Sequence, residues 1–331
     1  MRYGLSLITV FILGGWLSAI LMGSREKTDD DREHQEAFNR DYRVYSLNLP
    51  DNLTFAGEKV PLNDLDILER LDRELLVNTY WQGNTLLAHK RAHKWFPIIE
   101  PILKKNGVPD DFKYLAVIES NLSNTVSPSG ATGFWQLLEA AAKENGLEVN
   151  EVVDERYDVA KSTEAACRYL KTAYAKYGTW AMAAASYNMG INGLEKQKGR
   201  QGQSGYYDLI LNSETSRYVF RMIAMKLIIE NPKQYGFVFR EKDLYKMPPV
   251  RTVTLDSSVT DMVAYADSVG VNYRVLKIFN PWMRENFLKN PSKKAYKVIV
   301  PREGYRGIEA HEAEMTPPMR PDSASVPSPV K

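Results

Sequence analysis

Asp110-Asp111-Phe112-Lys113-Tyr114-Leu115-Ala116-Val117-Ile118-Glu119 runs directly into Ser120-Asn121-Leu122-Ser123-Asn124-Thr125-Val126-Ser127-Pro128-Ser129-Gly130-Ala131-Thr132-Gly133. In the first stretch Phe112, Leu115, Ala116 and Glu119 stand at i, i+3, i+4 and i+7 and share one helix face. Its other members are apolar, so that face belongs to a core and the terminal carboxyl is drawn partly out of water. Desolvation penalises the ionised form and raises a carboxyl pKa. The second stretch is polar and reads as a loop, in which Gly130 and Gly133 permit tight turns back towards Glu119. A protonated carboxyl beside an adaptable polar wall is what protonation of a sugar's leaving oxygen requires. A lone Glu at a helix end is ordinarily a surface residue, so the reading depends on its surroundings.

Upstream, a helix is expected from about Asn63 to Tyr80, with Leu65, Leu68, Leu71, Leu75 and Leu76 on its stripe. A second is expected from about Thr85 to Lys105, interrupted by Pro97 and Pro101 and stopped by Asn106-Gly107. Pro109 opens the Glu119 helix, with Asp110 and Asp111 favourable to its dipole. Downstream, helices are expected over Glu139–Asn145, Val159–Tyr177, Trp180–Asn188 and Ser213–Glu230, with Lys196–Gly205 as a Gly- and Gln-rich loop. After Pro248-Pro249 the pattern changes to strand, helix, helix, strand: Val250–Leu255, Val259–Val269, Tyr273–Phe279 and Ala295–Pro301. The fold class is therefore mainly α, followed by a small β-α-α-β unit.

The 331 residues carry 43 Lys and Arg against 41 Asp and Glu, a net charge of +2. That balance argues against a dedicated nucleic-acid binder. Residues 1–24 hold an uncharged, mostly apolar run from Tyr3 to Met22, read as a signal peptide or an N-terminal membrane anchor. Residues 25–60 read as a polar linker, 61–240 as a helical domain, 250–301 as the small unit, and the Pro- and Ser-rich residues 302–331 as a disordered tail. Cys167 is the single cysteine, read as a small buried hydrophobe. An exported chain without a disulfide fits a bacterial periplasm. His89 and His93 lie at i and i+4, but Lys90, Arg91 and Lys94 surround them, and a solvated basic face without metal is expected. No cofactor is expected.

Three segments bear on chemistry: Glu119-Ser120 with its loop through Phe134-Trp135-Gln136, then Ala183-Ala184-Ala185-Ser186-Tyr187-Asn188-Met189-Gly190, and last Ser213-Glu214-Thr215-Ser216-Arg217-Tyr218-Val219. Gln136 and Asn188 offer donors and acceptors suited to N-acetyl groups and sugar hydroxyls, although amides near helix ends also cap. Tyr187 stands close to a helix end, while Phe134 and Trp135 read as core and Ala183 to Ala185 as close-packing residues. Ordinary glycosidases use two carboxylates, and no Asp or Glu occurs from Ser120 through Leu138. A second carboxylate has to come from a distant segment, or the substrate supplies its own nucleophile.

In order and spacing these segments resemble the soluble lytic transglycosylase (SLT) domain, a lysozyme-like helical fold. With the preceding helices and the unit at 250–301, the resemblance is closest to the membrane-bound lytic murein transglycosylase D type and covers roughly residues 60–301. It implies that Glu119 is the sole acid and base for cleavage between N-acetylmuramic acid and N-acetylglucosamine. The muramoyl C6 hydroxyl then closes on the anomeric carbon to give a 1,6-anhydro end. It further implies that Ser127, Gln136, Tyr187 and Asn188 line the glycan groove, with Glu214 and Tyr218 in the same region. The unit at 250–301 resembles a LysM domain, with Asp256-Ser257-Ser258-Val259 in place of the usual Gly-Asp-Thr-Leu turn. The implied partner is peptidoglycan glycan strands, with the membrane reached through the N-terminal segment. The implied location is periplasmic and membrane-associated in a Gram-negative bacterium. Two alternatives stay open: a goose-type-lysozyme-like muramidase that uses water, and a non-catalytic wall binder.

Overall fold

The computed structural model describes residues 29–41 and 44–302. The expected signal or anchor segment and nearly all of the expected tail lie outside them. Among the described residues, no helix is long and apolar enough to cross a membrane. The chain divides into a first unit ending at Ser46 and a second beginning at Leu47. The first contains helix α1 (Asp29–Asp41), a polar helix within the expected linker.

The second unit starts its core earlier than expected. A two-stranded hairpin, β1 (Thr54–Phe55) with β2 (Glu58–Lys59), buries Phe55 and Val60 beside Leu53. The linker reading to residue 60 is therefore corrected: charged residues flank these three hydrophobes and mask them in composition. Asp111 fixes the hairpin by accepting from the Ala56 N–H and by pairing with Lys226.

Helix α2 (Leu65–Tyr80) is capped by Asp64 and buries Ile67, Leu71 and Leu75 at four-residue steps. Leu65 is 77% exposed, so the stripe is rotated from the expected one. Helix α3 (Gln82–Asn106) runs unbroken through Pro97 and Pro101 and ends at Gly107, whose left-handed backbone lets Val108 N–H reach Leu103 O. A 3-10 turn over Asp110–Phe112 leads into α4 (Lys113–Ser120), so Pro109 opens the turn and not the α-helix itself. Then come α5 (Glu139–Glu144), α6 (Val159–Tyr177), α7 (Trp180–Met189), α8 (Ile191–Gln201) and α9 (Thr215–Glu230).

Helix α8 corrects the expected loop at Lys196–Gly205. The segment is polar because only Leu194 is buried, and Gly202 is its left-handed C-cap and not a loop-forming glycine. Helix α4 packs between α3 and α9, and α9 also packs on α2 and α7. Phe112, Leu115 and Ala116 are fully buried there, which sets the direction of Glu119 at the helix end.

His89 corrects a further expectation. It is buried, with its ring against Phe237 and Phe239, because the chain after residue 236 covers that side of α3. His93 is exposed, 2.9 Å from Tyr245 O.

The C-terminal part forms the β-α-α-β unit: β3 (Val250–Leu255), α10 (Met262–Ser268), α11 (Tyr273–Phe279) and β4 (Tyr296–Pro301). β3 and β4 pair antiparallel from Val250–Pro301 to Leu255–Tyr296. Buried Asn280 joins α11 to β4, accepting from Ile299 N–H at 2.7 Å and donating to Ile299 O. Leu255, Met262, Leu276, Trp282, Val298 and Val300 form a second core, which also takes in Val153 from the preceding domain.

Candidate active site

The site begins where α4 ends. Asn121 and Leu122 both adopt left-handed backbone, at φ +50 and +53. Their N–H groups cap Val117 O and Ala116 O. This reversal leaves Glu119 on the last helical turn, facing a cavity of about 450 Å3. Buried Ser120 turns the other way, and its Oγ donates to Ala116 O and to Phe134 O at 2.9 Å. The residue after the acid thus ties the helix to the loop that follows.

That loop forms one wall of the cavity. Isolated bridges Val126–Thr132 and Thr132–Leu137 fold it on itself. Gly133, at φ +83, sits so close to Arg156 that a Cβ there would lie 2.2 Å from the Arg156 carbonyl oxygen. Phe134 and Trp135 are buried, as their sequence reading expects, and Trp135 Nε1 donates to Thr163 Oγ1 at 2.9 Å.

Of the sequence-expected residues, Glu119, Ser127, Gln136, Tyr187, Asn188 and Glu214 all line this cavity. Ser127 also serves the wall, its Oγ accepting from Ala131 N–H at 3.0 Å. Gln136, at φ +45, donates from Nε2 to Thr125 O and Gly133 O, so its nitrogen is committed to its own loop. Tyr187 donates to Trp135 O at 2.7 Å. Asn188 bridges to α9, accepting from Thr215 Oγ1 at 2.6 Å and donating to Glu214 Oε1 at 3.1 Å. Tyr218 differs from its expected place on the groove. It is 1% exposed, off the cavity surface, and its hydroxyl donates to Glu119 Oε1.

Sequence reasoning missed Tyr169, Leu138 and Met189, which also line the cavity. Tyr169 comes from α6 and meets Tyr187 edge-on at 5.2 Å, with its hydroxyl donating to Ser186 O. Nothing in the helical pattern of α6 marks it. Leu138 is a half-exposed hydrophobe at the start of α5, and an apolar residue on the rim of a polar loop was the available signal.

Burial raises the Glu119 pKa above the ordinary carboxyl range. The Tyr218 hydrogen bond and the positive charge of Arg221 oppose that rise, and the Glu214 charge adds to it. Arg221 is fixed nearby by donation to Ile118 O at 3.0 Å. Burial, followed by the Glu119 charge, holds the Tyr187 and Tyr218 hydroxyls protonated far above pH 10. The chemistry on offer is one carboxyl able to give and retake a proton, braced by a phenol that stays neutral. Glu214 is the second carboxylate that the local sequence lacks, delivered from the N-terminal end of α9. Among the described residues, no group of three or more His, Cys, Asp or Glu is arranged to hold a metal ion.

Residues 96–210 match the model of the transglycosylase SLT domain. Residues 251–304 match that of the soluble lytic transglycosylase C-terminal LysM-like domain. The chain is 29% identical over 244 residues to membrane-bound lytic murein transglycosylase D of Escherichia coli K12, an alignment covering 71% of this chain and 52% of that protein. The protein of the same name from Escherichia coli O6:H1 gives the same figures. The chain thus spans about half the length of these curated relatives.

Proposed function

We propose that this chain, built from an SLT domain and a C-terminal LysM-like domain, is a peptidoglycan lytic transglycosylase. The observation that carries the reading is the partly buried Glu119 carboxyl, with its raised pKa, opening onto a polar-walled cavity. The protonated Glu119 gives its proton to the glycosidic oxygen between N-acetylmuramic acid and N-acetylglucosamine as the C1–O bond breaks. The resulting carboxylate takes the proton of the muramoyl C6 hydroxyl while that oxygen bonds to C1. The acid is regenerated and no water is consumed. Tyr187, Asn188 and Gln136 are the groove residues best placed to orient the acetamido and hydroxyl groups, with Ser127 and Glu214 at the edges. The name of the relatives supports murein as substrate and a membrane-bound setting. We place the chain in the periplasm, held at the membrane by its N-terminal segment.

Hydrolysis is the second reading, and the one observation for it is Glu214 on the same cavity. Product mass spectrometry separates the two. Lytic cleavage yields ends lighter by one water than hydrolysis does. Digestion in heavy-oxygen water leaves them unlabelled, and label on the muramic ends would overturn the lyase reading. Glu119→Gln keeps the shape and removes the proton, and should lower turnover by at least about 10²-fold while glycan binding persists. Unchanged turnover in that variant would exclude Glu119 as the acid.

A further inference from the structure

The LysM-like module is not tethered loosely to the catalytic domain. Residues 148–157, between α5 and α6, form a strap that the two share. On the module's side, Asp154 N–H donates to Trp282 O at 2.9 Å and Arg284 N–H to Val152 O at 2.8 Å. Val153 is buried in the module's own core. Lys294 pairs with Glu148 at 2.5 Å and with Glu155 at 3.1 Å, and Tyr296 donates to Glu148. Lys161 pairs with buried Glu155 at 2.5 Å from the catalytic side.

The same strap reaches the cavity wall. The Asp154 carboxylate holds Arg156 through Nε, at 2.9 and 3.2 Å from its two oxygens, and through Nη2 at 2.7 Å, and both side chains are about nine-tenths buried. The remaining fork nitrogen, Nη1, donates to Gly130 O at 3.1 Å and Leu137 O at 3.2 Å. Gly130 and Leu137 bracket the wall segment that carries Ala131 and Gln136, and the Arg156 carbonyl packs on Gly133 between them. The planar guanidinium suits this task because its donors are fixed relative to one another, which an ammonium cannot match.

We propose that Arg156 is a positioning residue through which the docked 250–301 module holds the cavity wall in register with Glu119. Docking fixes the strap at residues 152–155, Asp154 aims Arg156, and Arg156 holds the two wall carbonyls. Release of the module frees the strap and lets the wall shift relative to the acid. The kinetic part of this inference rests on the transglycosylase reading, whereas the mechanical part does not.

The test uses the full chain with Lys294→Glu, which sets a third acid against Glu148 and Glu155 at a partly exposed position. Val153→Asp serves as an independent undocking variant. Hydrogen exchange at the Asp154 and Arg284 amides reports undocking, since both donate across the joint. Exchange over residues 130–137 reports the wall. The expected result is faster exchange at both places and kcat on glycan strands lowered about tenfold, since small misplacements at a reacting centre carry large rate costs. KM should change by less than about twofold, and Glu148→Lys combined with Lys294→Glu should restore exchange and kcat together. Arg156→Lys should give the wall and kcat effects with the joint amides still protected. A purely structural role for Arg156 would lower thermal stability but leave kcat per folded molecule unmoved. Undocking with unchanged exchange at 130–137 and unchanged kcat would overturn the coupling. A wild-type chain that releases no product would overturn the transglycosylase reading instead, and the exchange comparison would then decide the coupling alone.

Discussion

Replacing Tyr218 with Phe should move the alkaline limb of the pH–activity profile upward. The change removes one hydroxyl from a fully buried ring and leaves its packing in place, so the fold should survive. That hydroxyl donates to Glu119 Oε1 and favours the carboxylate, opposing the rise that burial imposes. A hydrogen bond to a charged group is worth roughly 1.5–3 kcal/mol. Its loss removes that opposition and so raises the Glu119 pKa further. Glu119 lies on an open cavity where water can replace the phenol in part, so the lower end of that range applies. The sign follows from the role of the acid. In the role proposed for it Glu119 must be protonated to act, its folded pKa is already raised, and activity is lost as pH rises through that value. The variant should therefore remain active to a higher pH than the wild type, with a lower maximal rate from the less firmly held carboxyl. The assay is initial-rate release of soluble fragments from purified peptidoglycan across pH, reported as kcat/KM. A reduced rate with the alkaline limb unmoved would refute the proposed coupling between Tyr218 and the acid.

Gly133→Ala should cost at least about 2 kcal/mol, because the residue is left-handed and the new Cβ meets the Arg156 carbonyl at 2.2 Å. Calorimetry should show a melting temperature lowered by roughly 5 °C or more. Gly130→Ala has similar φ but an empty surrounding, and should cost clearly less; equal losses would contradict the close approach. His89 should make the fold acid-sensitive. Its Nε2 is buried without a partner, and burial pushes its pKa down from 6.5 to about 4. The unfolded chain therefore takes up the proton first, so the contribution is intact above about pH 6.5 and lost as pH falls towards 4, up to about 3 kcal/mol. Urea midpoints at several pH values, compared with His89→Leu, should show the variant losing less stability on acidification; parallel curves would refute this.

The helices with clear stop signals were legible in the chain, because Gly107, Gly178 and Asn280-Pro281 end apolar periodic runs. The strands β3 and β4 were legible from their alternation after Pro248-Pro249. Helix α8 was not, since a helix exposed on most sides shows no apolar stripe and its glycines suggest a loop. The stripe of α2 was rotated in the reading because Leu65 is exposed while Ile67 carries the contact. At the site, the family resemblance named six of the residues that line the cavity, but Tyr169, Leu138 and Met189 were missed and the contacts of all of them were not readable. Tyr218 follows Glu214 by four residues, yet burial of its ring places it behind the acid, and only the packing of α9 on α4 decides that. The Arg156 connection was invisible for a similar reason: its acceptors are backbone carbonyls, which leave no mark in side-chain identity.

The position of Glu119 in the final turn of α4 has one more consequence. Helical peptide dipoles add along the axis and leave a partial negative charge, approaching half an elementary charge in a long helix, at the C-terminal end. A carboxylate there meets like charge, whereas the neutral acid does not. The direction in which α4 is threaded therefore biases the acid towards its proton-bearing form. The Asn121 and Leu122 amides soften that bias by capping the nearest carbonyls. The same side chain grafted onto a helix N-terminus would feel the opposite field and favour giving up its proton, even with its burial unchanged.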